Sequence, residues 1–177
     1  MFDRRTLILS AIGASLGFRQ DDPASIRPRE GDRLIKSGDG SLTPLRPDDI
    51  PIGAGFTMAW AYDPAQKIAR SGTRLNQLLL LRFDAAGLAA ETRDRSAAGV
   101  VAYTSICTHS GCDVDTWLEK ESHLFCSCHE SKFDPRDAAR VVDGPAPRPL
   151  PALPLTIVDG VLVVAKPFTA PVGFEKG

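Results

Sequence analysis

All four cysteines of this chain, Cys107, Cys112, Cys126 and Cys128, lie within a few turns of two of its three histidines, His109 and His129. The first group reads Cys107-Thr108-His109-Ser110-Gly111-Cys112. The second reads Cys126-Ser127-Cys128-His129-Glu130-Ser131. Reduced to donors, this is Cys-x-His, sixteen intervening residues, then Cys-x-x-His. Thiolates and imidazoles concentrated in this way constrain the fold. The backbone must turn two loops towards each other, and other elements must hold those loops in place. An extended apolar run precedes each group, Val100 to Ser105 and Ser122 to Cys126. One sheet can therefore present both loops, each offering one sulfur and one nitrogen.

Two metals suit such a donor set. A single zinc ion takes two cysteines and two histidines in a tetrahedron. A [2Fe–2S] cluster takes the two cysteines on one iron and the two histidines on the other. The zinc reading leaves Cys112 and Cys128 without a role. Both metals stay open on the residues alone.

The rest of the chain reads as short strands joined by turns. Fifteen glycines and fourteen prolines in 177 residues disfavour long helices. The partly alternating Phe56 to Tyr62 suits a half-buried strand, and the six-residue apolar run Leu78 to Phe83 a buried one. Arg33 to Lys36 is a further strand candidate. Leu155 to Val158 and Val161 to Val164 flank Asp159-Gly160, the signature of a two-residue hairpin turn. Ala85 to Ala98 has room for a helical turn between glycines. The sum is an all-β, antiparallel domain of roughly eight or more strands. A formal net charge of −1 gives no bulk attraction to nucleic acid. His123, Trp60 and Trp117 read as packing or rim residues. Lys132, Arg136 and Arg140, and likewise Asp113, Asp115, Glu119 and Glu121, read as solvated surface.

Residues 1–18 hold Arg4-Arg5 followed by an apolar run from Thr6 to Phe18. As a helix that run spans about 20 Å, short of a hydrocarbon core of roughly 30 Å. It resembles a twin-arginine export signal, cleaved or kept as an N-terminal anchor. Residues 19–32 are polar and proline-containing and read as a linker.

The two cysteine–histidine motifs resemble those of Rieske iron–sulfur proteins of the disulfide-containing, high-potential kind. That kind includes the iron–sulfur subunit of cytochrome bc complexes and the small subunit of arsenite oxidase. The resemblance covers about residues 33–166, is specific in the two motifs, and leaves residues 167–177 as a C-terminal tail. It implies a Rieske-type antiparallel β-sandwich with a two-loop cluster-binding subdomain at about residues 100–150. It implies one [2Fe–2S] cluster per chain, with Cys107 and Cys126 on the inner iron and His109 and His129 on the outer, solvent-facing iron. It also implies a Cys112–Cys128 disulfide, which needs an oxidising compartment. Gly144-Pro145-Ala146-Pro147 is similar to the family's proline loop, which covers the cluster from a third side. Ser131 stands where the family places a serine that donates to a cluster sulfur. Phe133 stands where respiratory members often have tyrosine, and Glu130 replaces a common glycine.

Replacing two thiolates by neutral imidazoles removes negative charge and raises the potential, into roughly −150 to +300 mV. The function expected is one-electron transfer as the small exported subunit of a periplasmic oxidoreductase like arsenite oxidase, rather than as a stand-alone enzyme. A molybdenum subunit or another periplasmic dehydrogenase would deliver electrons, and a soluble cytochrome c or copper protein would remove them. The alternative is the iron–sulfur subunit of a quinol–cytochrome c reductase (cytochrome bc) complex, located in the periplasm or anchored at its membrane face. A zinc-stabilised binding module is the alternative of another class. An oxygenase needs a second iron site with two more histidines and a carboxylate, and His123 alone cannot supply it.

Overall fold

In the computed structural model, residues 22–38 and 40–174 are described. The twin-arginine-like segment falls outside them. The strands in chain order are β1 (Arg33–Lys36), β2 (Thr57–Asp63), β3 (Ile68–Ala69), β4 (Leu78–Arg82), β5 (Val100–Thr104), β6 (Thr116–Leu118), β7 (His123–Cys126), β8 (Ser131–Asp134), β9 (Arg140–Asp143), β10 (Leu155–Val158) and β11 (Val161–Val164). One short helix, α1 (Ala90–Asp94), lies between β4 and β5. The large sheet has the order β10-β11-β1-β2-β4-β5, with β3 paired to β2, and the small sheet has the order β6-β7-β8-β9. All the paired strands are antiparallel. The expected all-β class holds.

The continuous leucine run of β4 is explained by burial on both faces. Leu78 and Leu80 pack with Leu34, Ala61, Val100, Ala102 and Leu162 in one core. Leu79 and Leu81 point the other way and join Val101, Tyr103, Leu124, Phe133 and Leu150. Strand side chains alternate faces, so four consecutive leucines feed two cores. Each fully buried leucine contributes about 1.5–3 kcal/mol. The β10–β11 hairpin closes through Asp159 and Gly160, both at positive φ, as its two-residue turn requires.

The small sheet is an insertion between β5 and β10. The chain leaves the large sheet through the first cysteine–histidine loop and returns through the proline-rich segment after β9. Tyr103 of β5 secures the two layers by donating its buried hydroxyl to Pro135 O at 2.8 Å. Ala138 N donates to Thr92 Oγ1 at 2.7 Å from the β8–β9 turn to α1.

The ends of the described residues are more firmly attached than their composition suggests. Residues 22–32 lie against the body, where their polar sequence reads as a linker. Gly72 N donates to Ala24 O at 2.9 Å, and Arg27 donates to Leu75 O and Asn76 Oδ1. Arg70, 2% exposed, donates to both oxygens of Asp32, to Asp63 and to Pro23 O. Its hydrogen bonds to Asp32 outweigh its desolvation and hold its pKa above the ordinary arginine value. At the other end, Phe168 packs on the first core and Thr169 N donates to Ala152 O at 2.9 Å. Among the described residues no helix is long and apolar enough to cross a membrane.

Candidate metal centre

The first loop runs from the end of β5 to β6. It closes on itself through Cys107 N to Cys112 O at 2.7 Å and Gly111 N to Cys107 O at 3.1 Å. The second is the tight turn between β7 and β8, closed by Glu130 N to Cys126 O at 3.0 Å. Glu130 occupies the left-handed region at φ 63°. That conformation favours glycine, so the carboxylate side chain is carried there at some cost.

The two loops meet. Cys112 and Cys128 form the expected disulfide, with a Cα–Cα distance of 6.5 Å. The sulfurs of Cys112, Cys126 and Cys128 lie within 4.8 Å of one another, so the disulfide sits directly beside the free thiol of Cys126. The rings of His109 and His129 pack edge to face with centroids 4.6 Å apart. Ser110 Oγ lies 3.4 Å from His129 Nδ1, a second contact from one loop to the other. Asp115 adds a third by accepting from Ser127 Oγ at 2.6 Å, and that hydrogen bond is the main reason its carboxyl sits below the usual range.

Burial divides the four donors into two kinds. Cys107 and Cys126 are each 1% exposed, His109 is half-buried and His129 is exposed. Burial first, and then the neighbouring Cys107, push the Cys126 thiol up to about 11. Two thiolates packed together in an apolar pocket repel each other, and a bound cation removes that penalty. Nδ1 of His109 is buried without a hydrogen-bond partner. Buried imidazole nitrogens are normally satisfied, and a metal is one partner that satisfies them. The residues thus fit a metal group bound by sulfur on the inside and nitrogen on the outside.

The Gly144–Pro147 segment reaches both loops. Ala146 N donates to the buried Ser131 Oγ at 3.2 Å, which leaves the serine hydrogen available to another acceptor. Thr108 Oγ1 donates to Arg148 O at 2.6 Å. A Cβ on Gly144 would meet Ser131 Cα at 2.5 Å and Glu130 O at 2.7 Å, so only glycine allows this approach. Pro145 is exposed, and Phe133 is fully buried in the second core. His123, at the start of β7, has Nδ1 3.8 Å from Glu121 Oε2 and does not join the other two histidines. Trp117 packs against Phe83, ring centroids 6.5 Å apart. Lys132, Arg136 and Arg140 are held in ion pairs with Glu121 and Asp143, Asp134 and Asp137 respectively. The Asp115–Ser127 and Thr108–Arg148 ties were not foreseen. Their hydroxyls and carboxylate carry no spacing signal in the sequence.

Two loops joined by a disulfide, with buried thiols inside and imidazoles outside, make a β-scaffolded metal-binding site of two sulfurs and two nitrogens. A family model for the Rieske [2Fe-2S] domain matches residues 80–154. The cytochrome bc1 complex Rieske iron-sulfur subunit of Streptomyces lividans is 34% identical over 140 residues, which is 76% of this chain and 82% of that protein. A putative respiratory nitrate reductase subunit Rieske of Haloferax mediterranei is 36% identical over 140 residues, covering 78% of this chain and 59% of that one. The chain spans only 40% of the matching Streptomyces coelicolor bc1 subunit. Among solved structures, it is similar to the soluble domain of the Rieske protein II from Sulfolobus acidocaldarius. That match has a TM-score of 0.44 and 23% identity, and covers 57% of this chain and 66% of that one. The chain belongs to the Rieske iron–sulfur proteins. It binds a [2Fe–2S] cluster and transfers electrons.

Proposed function

We propose that this chain is the iron–sulfur subunit of a larger respiratory redox complex of the quinol–cytochrome c reductase kind. Cys107, His109, Cys126 and His129 hold its cluster. The observation that carries the ligand assignment is the split of the donors, with two buried thiols behind two imidazoles packed edge to face and His129 open to solvent. The relatives named above support the choice of complex: they are a bc1 subunit and a respiratory nitrate reductase subunit. They do not bear on the arsenite-oxidase-like reading, which gives way to what had been its alternative.

The bound cluster accepts and returns one electron. The chain's residues determine where that happens. Cys107 and Cys126 sit in an apolar pocket away from water, so exchange is confined to the histidine side. The exposed ring of His129 is the point that a donor or acceptor can touch. Ser131, held by the Ala146 amide, keeps its hydroxyl hydrogen for an acceptor in the site, which stabilises the more negative reduced state. The disulfide, together with the twin-arginine-like start, supports a location on the oxidising, periplasmic side of the membrane.

The full chain, prepared with iron and sulfide, should be coloured and should give an electron spin resonance signal after reduction. Cys126→Ser should abolish both. Colourless, signal-free protein containing zinc would overturn the assignment. Native purification should then recover cytochrome subunits with it. Recovery of a molybdenum subunit instead would restore the dehydrogenase reading.

A further inference from the structure

The two loops are braced differently. The second is backed by Gly144 and Ala146. The first is reached from outside by the last described residues and by one arginine of the large-sheet side. Arg148 forms the link. Its carbonyl accepts from Thr108 Oγ1 at 2.6 Å, and its guanidinium donates to Pro171 O at 2.9 Å and Gly173 O at 2.6 Å. Past Gly173 the Phe174 ring lies against the backbone of Gly111, where a Cβ would meet Phe174 Cδ1 at 3.1 Å. Gly111 is at φ 79° and directly precedes Cys112. Arg74 closes the other side of the same residue. It donates to Gly111 O at 2.6 Å and pairs with Asp113 at 2.9 Å.

We propose that residues 167–174 are a strap that sets the first cluster loop, with Arg74, Arg148 and Phe174 as its positioning residues. The proposal rests on the assignment of Cys107 and His109 as cluster ligands. The strap holds Thr108 and Gly111, which flank His109 on either side. Arg74 fixes the Gly111 carbonyl of the loop, while Arg148 ties the strap, through the Pro171 and Gly173 carbonyls, to the loop's Thr108 hydroxyl. Among the described residues the second loop is backed by Gly144 and Ala146 instead, so the two loops differ in what releases them.

The test uses the full chain, with and without its cluster, and three variants: Phe174→Ala, Phe174→Leu and Arg74→Gln. Amide hydrogen exchange is compared between residues 105–114 and residues 126–134. Phe174→Ala and Arg74→Gln should speed exchange in the first segment roughly tenfold, the factor given by about 1.4 kcal/mol of lost local protection. The second segment should be unchanged. Phe174→Leu should restore most of the protection. In the loaded protein the midpoint potential should move in Phe174→Ala and Arg74→Gln and return towards wild type in Phe174→Leu. Equal exchange in both segments, faster exchange throughout the molecule, or an unmoved potential would each overturn the strap. If no cluster loads, the ligand assignment fails, while exchange in the cluster-free chain still decides whether the strap holds the loop.

Discussion

The large sheet and the small sheet are built on different principles. Leu34, Ala61, Leu78, Leu80, Leu162 and Val164 are fully buried in the large sheet, and hydrophobic transfer is enough to hold its strands together. The small sheet has strands of three or four residues, and β6 and β9 bury no residue fully. It shares the second core with the large sheet through Leu124 and Phe133 and adds point connections: one disulfide, one glycine contact and a few side-chain hydrogen bonds. The large sheet thus rests mainly on apolar burial. The small sheet combines a shared core with cross-links.

The comparison can be broken at its base. Leu80→Ala opens a cavity in a fully buried site and should cost about 2–5 kcal/mol. Both sheets should then melt together, in one transition by calorimetry. Removing the disulfide should separate them. Cys112→Ala frees a closed loop with a sequence separation of 16 residues, a loss of about 3 kcal/mol on chain-entropy grounds. Hydrogen exchange should rise in β6–β9 and stay slow in β1, β2 and β4. Gly144→Ala forces the proline segment off Ser131 and should cost about 2 kcal/mol, again confined to the small sheet. The same exchange experiment reads it.

Acid should act on both regions, because Asp115 between the cysteine loops is depressed as well as Asp63. Asp63 sits below the ordinary carboxylate range, first because Gln66 N donates to it and then because of Ala65 and Arg70. A depressed folded pKa gives stability that is present above the unfolded value, about 3.9, and is lost as pH falls through the folded one. Asp63→Asn should therefore flatten the acid limb of the stability curve, and acid should loosen the Asp63 turn as well as the Asp115–Ser127 tie between the cysteine loops. The smallest effect is expected at Glu130. Glu130→Gly relieves a left-handed backbone and should stabilise by about 0.5 kcal/mol, visible as a slightly raised melting temperature.

The same division explains what the sequence revealed. Strands β1, β4, β5, β10 and β11 are legible because apolar or β-branched runs mark burial, and Asp159-Gly160 marks its own turn. Strands β6, β8 and β9 are not legible. Thr116–Leu118, Ser131–Asp134 and Arg140–Asp143 are short, with no apolar run longer than two residues, and are held by pairing along the β6-β7-β8-β9 meander. The cysteines and histidines were legible because donor spacing is itself chemistry. The ties behind them were not, because Thr108 to Arg148 and Asp115 to Ser127 are contacts made only after the chain has folded. Arg70 gives no hint in sequence that it will be buried between two aspartates.

That buried arginine limits how the domain can be carried. Four hydrogen bonds from Arg70 join the stretch before β1 to β2 and β3 at a site shut off from water. Drawing residues 22–32 away from the body would part Asp32 and Pro23 O from Arg70 and leave that buried guanidinium with Asp63 alone. Freeing this stretch means breaking those contacts, so a reorientation of the electron-carrying end that keeps them carries Asp22 onwards along with the rest of the domain.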